Sequence, residues 1–138
     1  MPSGSCWCGQ IKYEFKGDPA VVALCHCISC QKISGGTNTA NVAVKKDQLT
    51  VTTGTPKSYS QKHESGMTLT IFFCETCSTI LYKHATAEMF AEFSLIQAGT
   101  LDGGDKGELS KPGVEMYVKE RMPWLSGIHE VAQKQEFV

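Results

Sequence analysis

Cys25-His26-Cys27-Ile28-Ser29-Cys30 places three thiols within six residues. Two further pairs flank this stretch, Cys6-Trp7-Cys8 upstream and Cys74-Glu75-Thr76-Cys77 downstream, and together the three groups hold all seven cysteines of the chain. Cysteines used only for packing would be scattered singly. Thiols gathered one or two residues apart are how a chain collects soft ligands around a metal.

The spacings suit chelation. Side chains two apart on a strand share a face, so Cys6/Cys8 and Cys25/Cys27 can each grip one ion from extended backbone. Cys27/Cys30 and Cys74/Cys77 have the C-x-x-C spacing of a zinc knuckle. Seven thiols cannot fill two four-sulfur sites, but they fill one and leave a vacancy in the other. A closed zinc has four protein ligands, whereas a catalytic zinc keeps three and offers the fourth position to water or substrate. The economical partition makes Cys6, Cys8, Cys74 and Cys77 a structural zinc site and Cys25, Cys27 and Cys30 an open, catalytic one, with two Zn²⁺ per chain. All-sulfur ligation favours zinc over hard cations and leaves iron open.

Other readings compete. A disulfide framework conflicts with the odd cysteine count. A thioredoxin-like redox pair lacks a surrounding βαβ pattern. Thiolates also hold iron–sulfur clusters. The strongest competitor is two structural zincs, the second completed by a histidine. His26 is nearest, but on extended backbone it faces away from Cys25 and Cys27. His63, His84 and His129 carry no ligand spacing and read as surface or packing residues. A general base is not evident; Lys32, His26, His63, His84 and Glu75 are candidates by proximity in sequence.

The rest of the composition narrows the class. With 138 residues, 41% hydrophobic and 20% charged, the chain suits one globular domain over residues 1–138. A formal charge of −1 gives no electrostatic case for nucleic acid; seven thiolates and two divalent ions would carry it to −4. No apolar run approaches the length of a membrane helix, and Met1–Ser5 has neither the basic nor the apolar region of a signal peptide. These features predict a cytoplasmic protein in a reducing compartment, with a small-molecule partner and no nucleic-acid or membrane partner.

Period-two patterning dominates. Ile11, Tyr13 and Phe15 alternate with Lys12 and Glu14, the mark of a half-buried strand. Further strands are predicted at 21–24, 41–44, 49–52, 58–62, 68–73, 80–82 and 93–96, with alternation again from Glu115 to Lys119. Ser34-Gly35-Gly36-Thr37 reads as a turn, and 125–135 as a short helix. Short strands with Gly and Pro punctuation predict a mostly β, mostly antiparallel single domain.

The chain resembles the glutathione-dependent formaldehyde-activating enzymes, a family that includes the centromere protein V group. The resemblance rests on Cys6-x-Cys8-Gly9, Cys25-His26-Cys27-x-x-Cys30, Phe73-Cys74-x-x-Cys77, Gly99-Thr100-Leu101-Asp102 and Pro123-Trp124. It implies a β-tent of small antiparallel sheets stapled by zinc. It also implies carbon–sulfur lyase chemistry, the joining of formaldehyde to glutathione as S-(hydroxymethyl)glutathione, with a metal assignment like the partition above. The same scaffold acting on another small carbonyl or thioether metabolite, or serving as a non-enzymatic zinc-stabilised interaction module, are the alternatives. Two positions depart from the family pattern: Ser78 stands where glycine is frequent, and Gln31 where a basic residue is common. A pocket opening onto Cys25, Cys27 and Cys30 would distinguish an enzyme from a binding module.

Overall fold

The computed structural model describes residues 1–104 and 106–138. Among these residues, eleven strands form two sheets. The smaller sheet joins β1 (Ser3–Ser5), β2 (Lys12–Phe15) and β5 (Leu49–Thr53) in the order β1-β2-β5, all antiparallel. The larger contains β3 (Val21–Cys25), β4 (Thr39–Lys45), β6 (Lys57–Lys62), β7 (Thr68–Phe73), β8 (Ile80–Ala85), β9 (Phe93–Gln97), β10 (Val114–Met116) and β11 (Ala132–Gln133). Its order is β11-β10-β3-β4-β9-β8-β7-β6. The predicted β class and most predicted strands are present. The sheet departs from antiparallel pairing only at one edge, where β10 lies parallel to both β3 and β11.

Alternation along the central strands gives the large sheet two working faces. Val42 and Val44 of β4 and Ile96 of β9 cluster with Ile11 and with Tyr13 and Phe15 of the small sheet, forming the first core. Their neighbours Ala43 and Leu95 point to the opposite face and join Ala23, Cys25 and Leu69 in a second core. Because β4 is covered on both sides, it reads as a nearly continuous apolar run rather than an alternation. Gly4 lets the small sheet close tightly: a Cβ there would stand 2.2 Å from the Tyr13 hydroxyl oxygen. Thr100 and Leu101 complete this seam, Thr100 through a 2.8 Å hydroxyl pair with Tyr13 and Leu101 through a bridge to Gly4.

Helices are short. α1 (Ile28–Ser34) begins inside the central cysteine stretch and ends at Gly35, whose φ of 66° and N–H to the Gln31 carbonyl close it in the left-handed conformation. α2 (Lys106–Leu109) is a single turn. The helix predicted over 125–135 is not formed. Gly127 weakens helix formation within that segment, and its end is drawn into the sheet as β11 beside β10. The alternation expected through Lys119 stops at Met116, because Tyr117 turns the chain with a φ of 55°.

Candidate metal centres

Two loops, one near the start of the chain and one at its middle, meet at the edge of the first core. In the first, the Gly9 N–H reaches the Cys6 carbonyl at 3.1 Å and the Ile11 N–H donates to Cys6 Sγ at 3.3 Å. In the second, the Ser78 N–H closes on the Cys74 carbonyl at 2.8 Å. Ser78 holds a φ of 67°, a conformation that glycine adopts without strain; this is the backbone requirement behind the family's frequent glycine at that position. The loops are laced together by the Trp7 N–H to Thr79 Oγ1 at 3.1 Å and the Thr76 hydroxyl to Gln10 Oε1 at 2.8 Å. As a result Cys6, Cys8, Cys74 and Cys77 bring their sulfurs within 4.8 Å of one another.

The donor set fits zinc. Tetrahedral sulfurs at the usual Zn–S distance of about 2.3 Å lie roughly 3.8 Å apart. Cys6 and Cys8 Sγ are 3.6 Å apart, and Cys8 and Cys74 Sγ 3.8 Å. Hydrogen bonds from the Thr79 hydroxyl and then its backbone hold the Cys77 thiol down to about 5. All seven cysteines are free thiols, with no disulfide among the described residues.

The second cluster comes from one contiguous stretch. β3 delivers Cys25, and Cys27 caps α1, accepting the Cys30 N–H on its sulfur at 3.2 Å. Cys25, Cys27 and Cys30 lie within 4.8 Å of one another and are all buried. Lys83, 2% exposed, reaches from β8 to place Nζ 3.6 Å from Cys30 Sγ and 3.1 Å from Thr39 Oγ1. The Thr39 hydroxyl itself donates to Cys30 Sγ at 3.0 Å. Hydrogen bonds from Cys25 and Cys27, then the Lys83 cation and Thr39, hold the Cys30 thiol well below its ordinary range. Cys27 is pushed the other way by its bonds to Cys25 and Cys30 and by burial. Three thiolates holding a divalent ion would carry a charge of −1, which a cation at Lys83 would offset; no signal in the local spacing of the sequence pointed to Lys83.

The histidines separate clearly. His26 is buried but belongs to another network: its Nε2 lies 2.7 Å from Glu115 Oε1, away from the thiols. Glu115 also accepts the Ile128 N–H and the Gln133 amide, each at 2.7 Å, and pairs with Arg121 at 3.3 Å. Although burial works to raise it, these partners, led by Gln133, hold the Glu115 carboxyl at about 2. Gln31, at the position where relatives often carry a basic residue, ties α1 down by donating to the His26 and Glu120 carbonyls at 2.9 and 3.0 Å.

His63 is the residue that spacing missed. It lies buried, with Nε2 3.3 Å from Cys27 Sγ and 2.9 Å from Glu64 Oε1. The Ser65 N–H donates to its Nδ1 at 3.0 Å, so the proton of the neutral ring sits on Nε2, between Glu64 Oε1 and Cys27 Sγ. His63 forms a group with Cys27 and Glu64 but not with the whole triplet. Among the other base candidates, His84 is engaged with Ser94 at 2.8 Å, Glu75 pairs with Lys57 on the surface, and Lys32 is exposed on α1. His129 is exposed near the end of the chain.

A pocket partly open to solvent lies on the second face of the large sheet with Cys25, Cys27 and Cys30 in its lining. Apart from the thiols, its polar residues are Asn41, His63 and Lys83. Met67, Leu69, Phe90, Leu95, Met116 and Phe137 make most of the remaining wall. No helix among the described residues is long and apolar enough to cross a membrane.

Comparison with known proteins agrees with this architecture. The sequence profile of the family described as glutathione-dependent formaldehyde-activating enzyme matches residues 1–120. A crystal structure of a Rhodobacter sphaeroides protein superposes with a TM-score of 0.60, covering 80% of this chain and 96% of that one. The two share 18% sequence identity, so the likeness is one of fold. No curated protein matches the chain.

Proposed function

This chain belongs to the glutathione-dependent formaldehyde-activating enzyme family, and from that premise we propose that it is a zinc-dependent carbon–sulfur lyase. Its substrate would be a thiol–carbonyl adduct such as S-(hydroxymethyl)glutathione, formed or cleaved at the carbon–sulfur bond. The observation that carries this reading is the buried Cys25/Cys27/Cys30 triplet opening into a pocket with no histidine completing the set. An interaction module has no need of such a pocket.

In this reading Cys6, Cys8, Cys74 and Cys77 hold one zinc as a staple, and Cys25, Cys27 and Cys30 hold a second with one position free. Zinc bound there supplies a site that favours a thiol in its anionic form or polarises a carbonyl oxygen. The surrounding residues divide the remaining work. Lys83 balances the thiolate charge at Cys30, and Thr39 fixes both groups. An oxygen gaining an electron pair in the pocket finds Lys83 Nζ and His63 Nε2–H as the donors that line it. The wall around these donors is mostly apolar. Seven unbridged thiols suit a reducing compartment such as the cytoplasm.

The test has two measurements on protein purified without chelator. Metal analysis should find about two zinc ions per chain, as the ligand count requires. Exchange spectroscopy by NMR should show the protein accelerating interconversion of glutathione plus formaldehyde with their adduct, and Cys30→Ser should abolish it. One metal per chain, mainly iron, or no acceleration would overturn the reading.

A further inference from the structure

Helix α1 presents two faces. Cys30 is buried on one of them, with the other thiols. Ser29, Lys32 and Ile33, three and four positions apart, share another, and that face lines a separate cavity of about 180 Å³. Tyr59 and Gln61 of β6 and Leu69 and Ile71 of β7 line the same cavity. The register explains why these four belong together. Tyr59 pairs with Ile71 and Gln61 with Leu69, and Ile71 and Leu69 in turn lie opposite Lys83 and Ala85 of β8. Residues directly opposite across a ladder point to one face, so this cavity continues the sheet face that carries Lys83. Leu69 lines both it and the pocket at the triplet. That pocket has only about 40 Å³ of free space, room for about three waters. It admits a sulfur and a carbonyl carbon but not the body of a thiol such as glutathione, which has to lie along the adjoining surface.

The polar lining of the α1–β6 cavity consists of donors. Among the described residues no acidic side chain lines it, and neither Lys32 nor Lys62 is in an ion pair. Lys62 Nζ makes one long bond, 3.4 Å to the Gly66 carbonyl, and Lys32 is exposed on α1. The Tyr59 hydroxyl donates to Gln61 Oε1 at 3.0 Å, which leaves the Gln61 amide nitrogen to donate. Glu64, two residues beyond Lys62, is turned elsewhere: it accepts the Ser29 hydroxyl at 2.9 Å and meets His63 Nε2 at 2.9 Å. Two ammonium groups and an amide beside the apolar Ile33, Leu69 and Ile71 suit a carboxylate on a short aliphatic arm.

We propose that this cavity is the subsite for a carboxylate of the thiol substrate, held by Lys32, Lys62 and Gln61 while the sulfur enters the pocket at Cys25, Cys27 and Cys30. The inference rests on the carbon–sulfur lyase reading and names the class of thiol that site takes: one with a carboxylate on a flexible arm, as glutathione has at both ends. The seven residues of α1 make the two sites one unit, since the same helix places Cys30 in the triplet and Lys32 in the subsite.

Titration calorimetry on the zinc-loaded protein, with glutathione and with its diethyl ester, tests this. Exposed ion pairs are individually weak, so each lysine should contribute about threefold and the two together about tenfold. Glutathione should therefore bind about tenfold more tightly than the ester, less so as salt is raised. Lys32→Gln/Lys62→Gln should remove that difference by weakening glutathione and leaving the affinity for the ester where it was. In NMR exchange with formaldehyde, the double variant should need about tenfold more glutathione to reach the same rate. Equal affinity for acid and ester, or equal weakening of both in the double variant, with exchange intact in the wild type, would overturn this inference and leave the lyase reading standing. No exchange of glutathione with formaldehyde by the wild type would overturn both.

Discussion

The two thiol clusters are assembled in opposite ways. Cys8 and Cys74, whose sulfurs lie 3.8 Å apart, are separated by 66 positions in the chain. Cys25, Cys27 and Cys30 come from one stretch that folds onto itself as strand, cap and helix. The remote set sits at a rim where Cys8 is exposed and Cys77 half-buried, whereas the local set is buried throughout. A clip across a long loop removes far more freedom from the unfolded chain than one across a short loop. In the chain-entropy picture of a cross-link, the long closure is worth about 4 kcal/mol and a six-residue closure about 2 kcal/mol. In the proposed assignment, position in the chain makes the first cluster a staple, and position in the fold, at the lining of a pocket, makes the second a site.

The largest effect should therefore fall on the remote cluster. Cys74→Ser should cost at least about 4 kcal/mol, a large share of the stability of an ordinary domain, and give aggregating or unfolded protein. Cys27→Ser should cost about half as much and leave a folded chain holding about one zinc. Urea unfolding midpoints and metal content of the two variants, purified in parallel with zinc, measure the contrast. Equal loss of stability in both would mean that the triplet is structural too.

Much of this contrast was visible in the sequence because metal ligation is written in spacing. The cysteine groups, the four-plus-three partition and the period-two strands are local patterns, and the structure brings the matching thiols together. What local pattern could not show is what long-range pairing delivers. Lys83 looks like an outward residue in the half-polar strand Ile80–Ala85, yet its pairing opposite Leu95 turns it into the pocket face. His63 lies in a polar turn with no ligand spacing, but the β6–β7 hairpin carries it to Cys27. The tail from Leu125 reads as a weak helix alone, and only an unpaired β10 edge makes it a strand. Parallel pairing leaves no turn signature, so the β3–β10 contact was also out of reach.

A smaller effect sharpens the comparison on its electrostatic side. The remote cluster meets the Ile11 N–H and the Thr79 hydroxyl, whereas the buried one adds the Lys83 amine to the Thr39 hydroxyl and the Cys30 N–H. Lys83→Met keeps the length of the side chain and removes the charge beside Cys30. Loss of a partner to a metal ligand typically weakens metal binding by roughly 10–100-fold. Competition with a chromophoric chelator should show that loss for one zinc per chain and leave the other unchanged. Equal weakening of both ions would mean that Lys83 supports the fold and not the triplet.

The smallest effect concerns the carboxylate behind the buried cluster. Glu115 anchors His26, which lies between Cys25 and Cys27, and the remote cluster has no comparable support. Its carboxyl stands at about 2, below the ordinary 4.5. A folded-state value below the unfolded one means that the unfolded chain takes up protons first as pH falls. The stabilisation is therefore complete above about 4.5 and is lost between about 4.5 and 2. Glu115→Gln keeps an acceptor for the Ile128 N–H but removes the charge, and should cost about 1 kcal/mol at neutral pH. Acid also strips metal from thiolates, but that loss is common to both proteins, so the difference between them isolates the carboxylate. Denaturant melts of wild type and Glu115→Gln at several pH values should converge below pH 4.5. A gap that stays constant down to pH 2 would show that Glu115 acts by shape alone and that the buried cluster owes nothing to its charge.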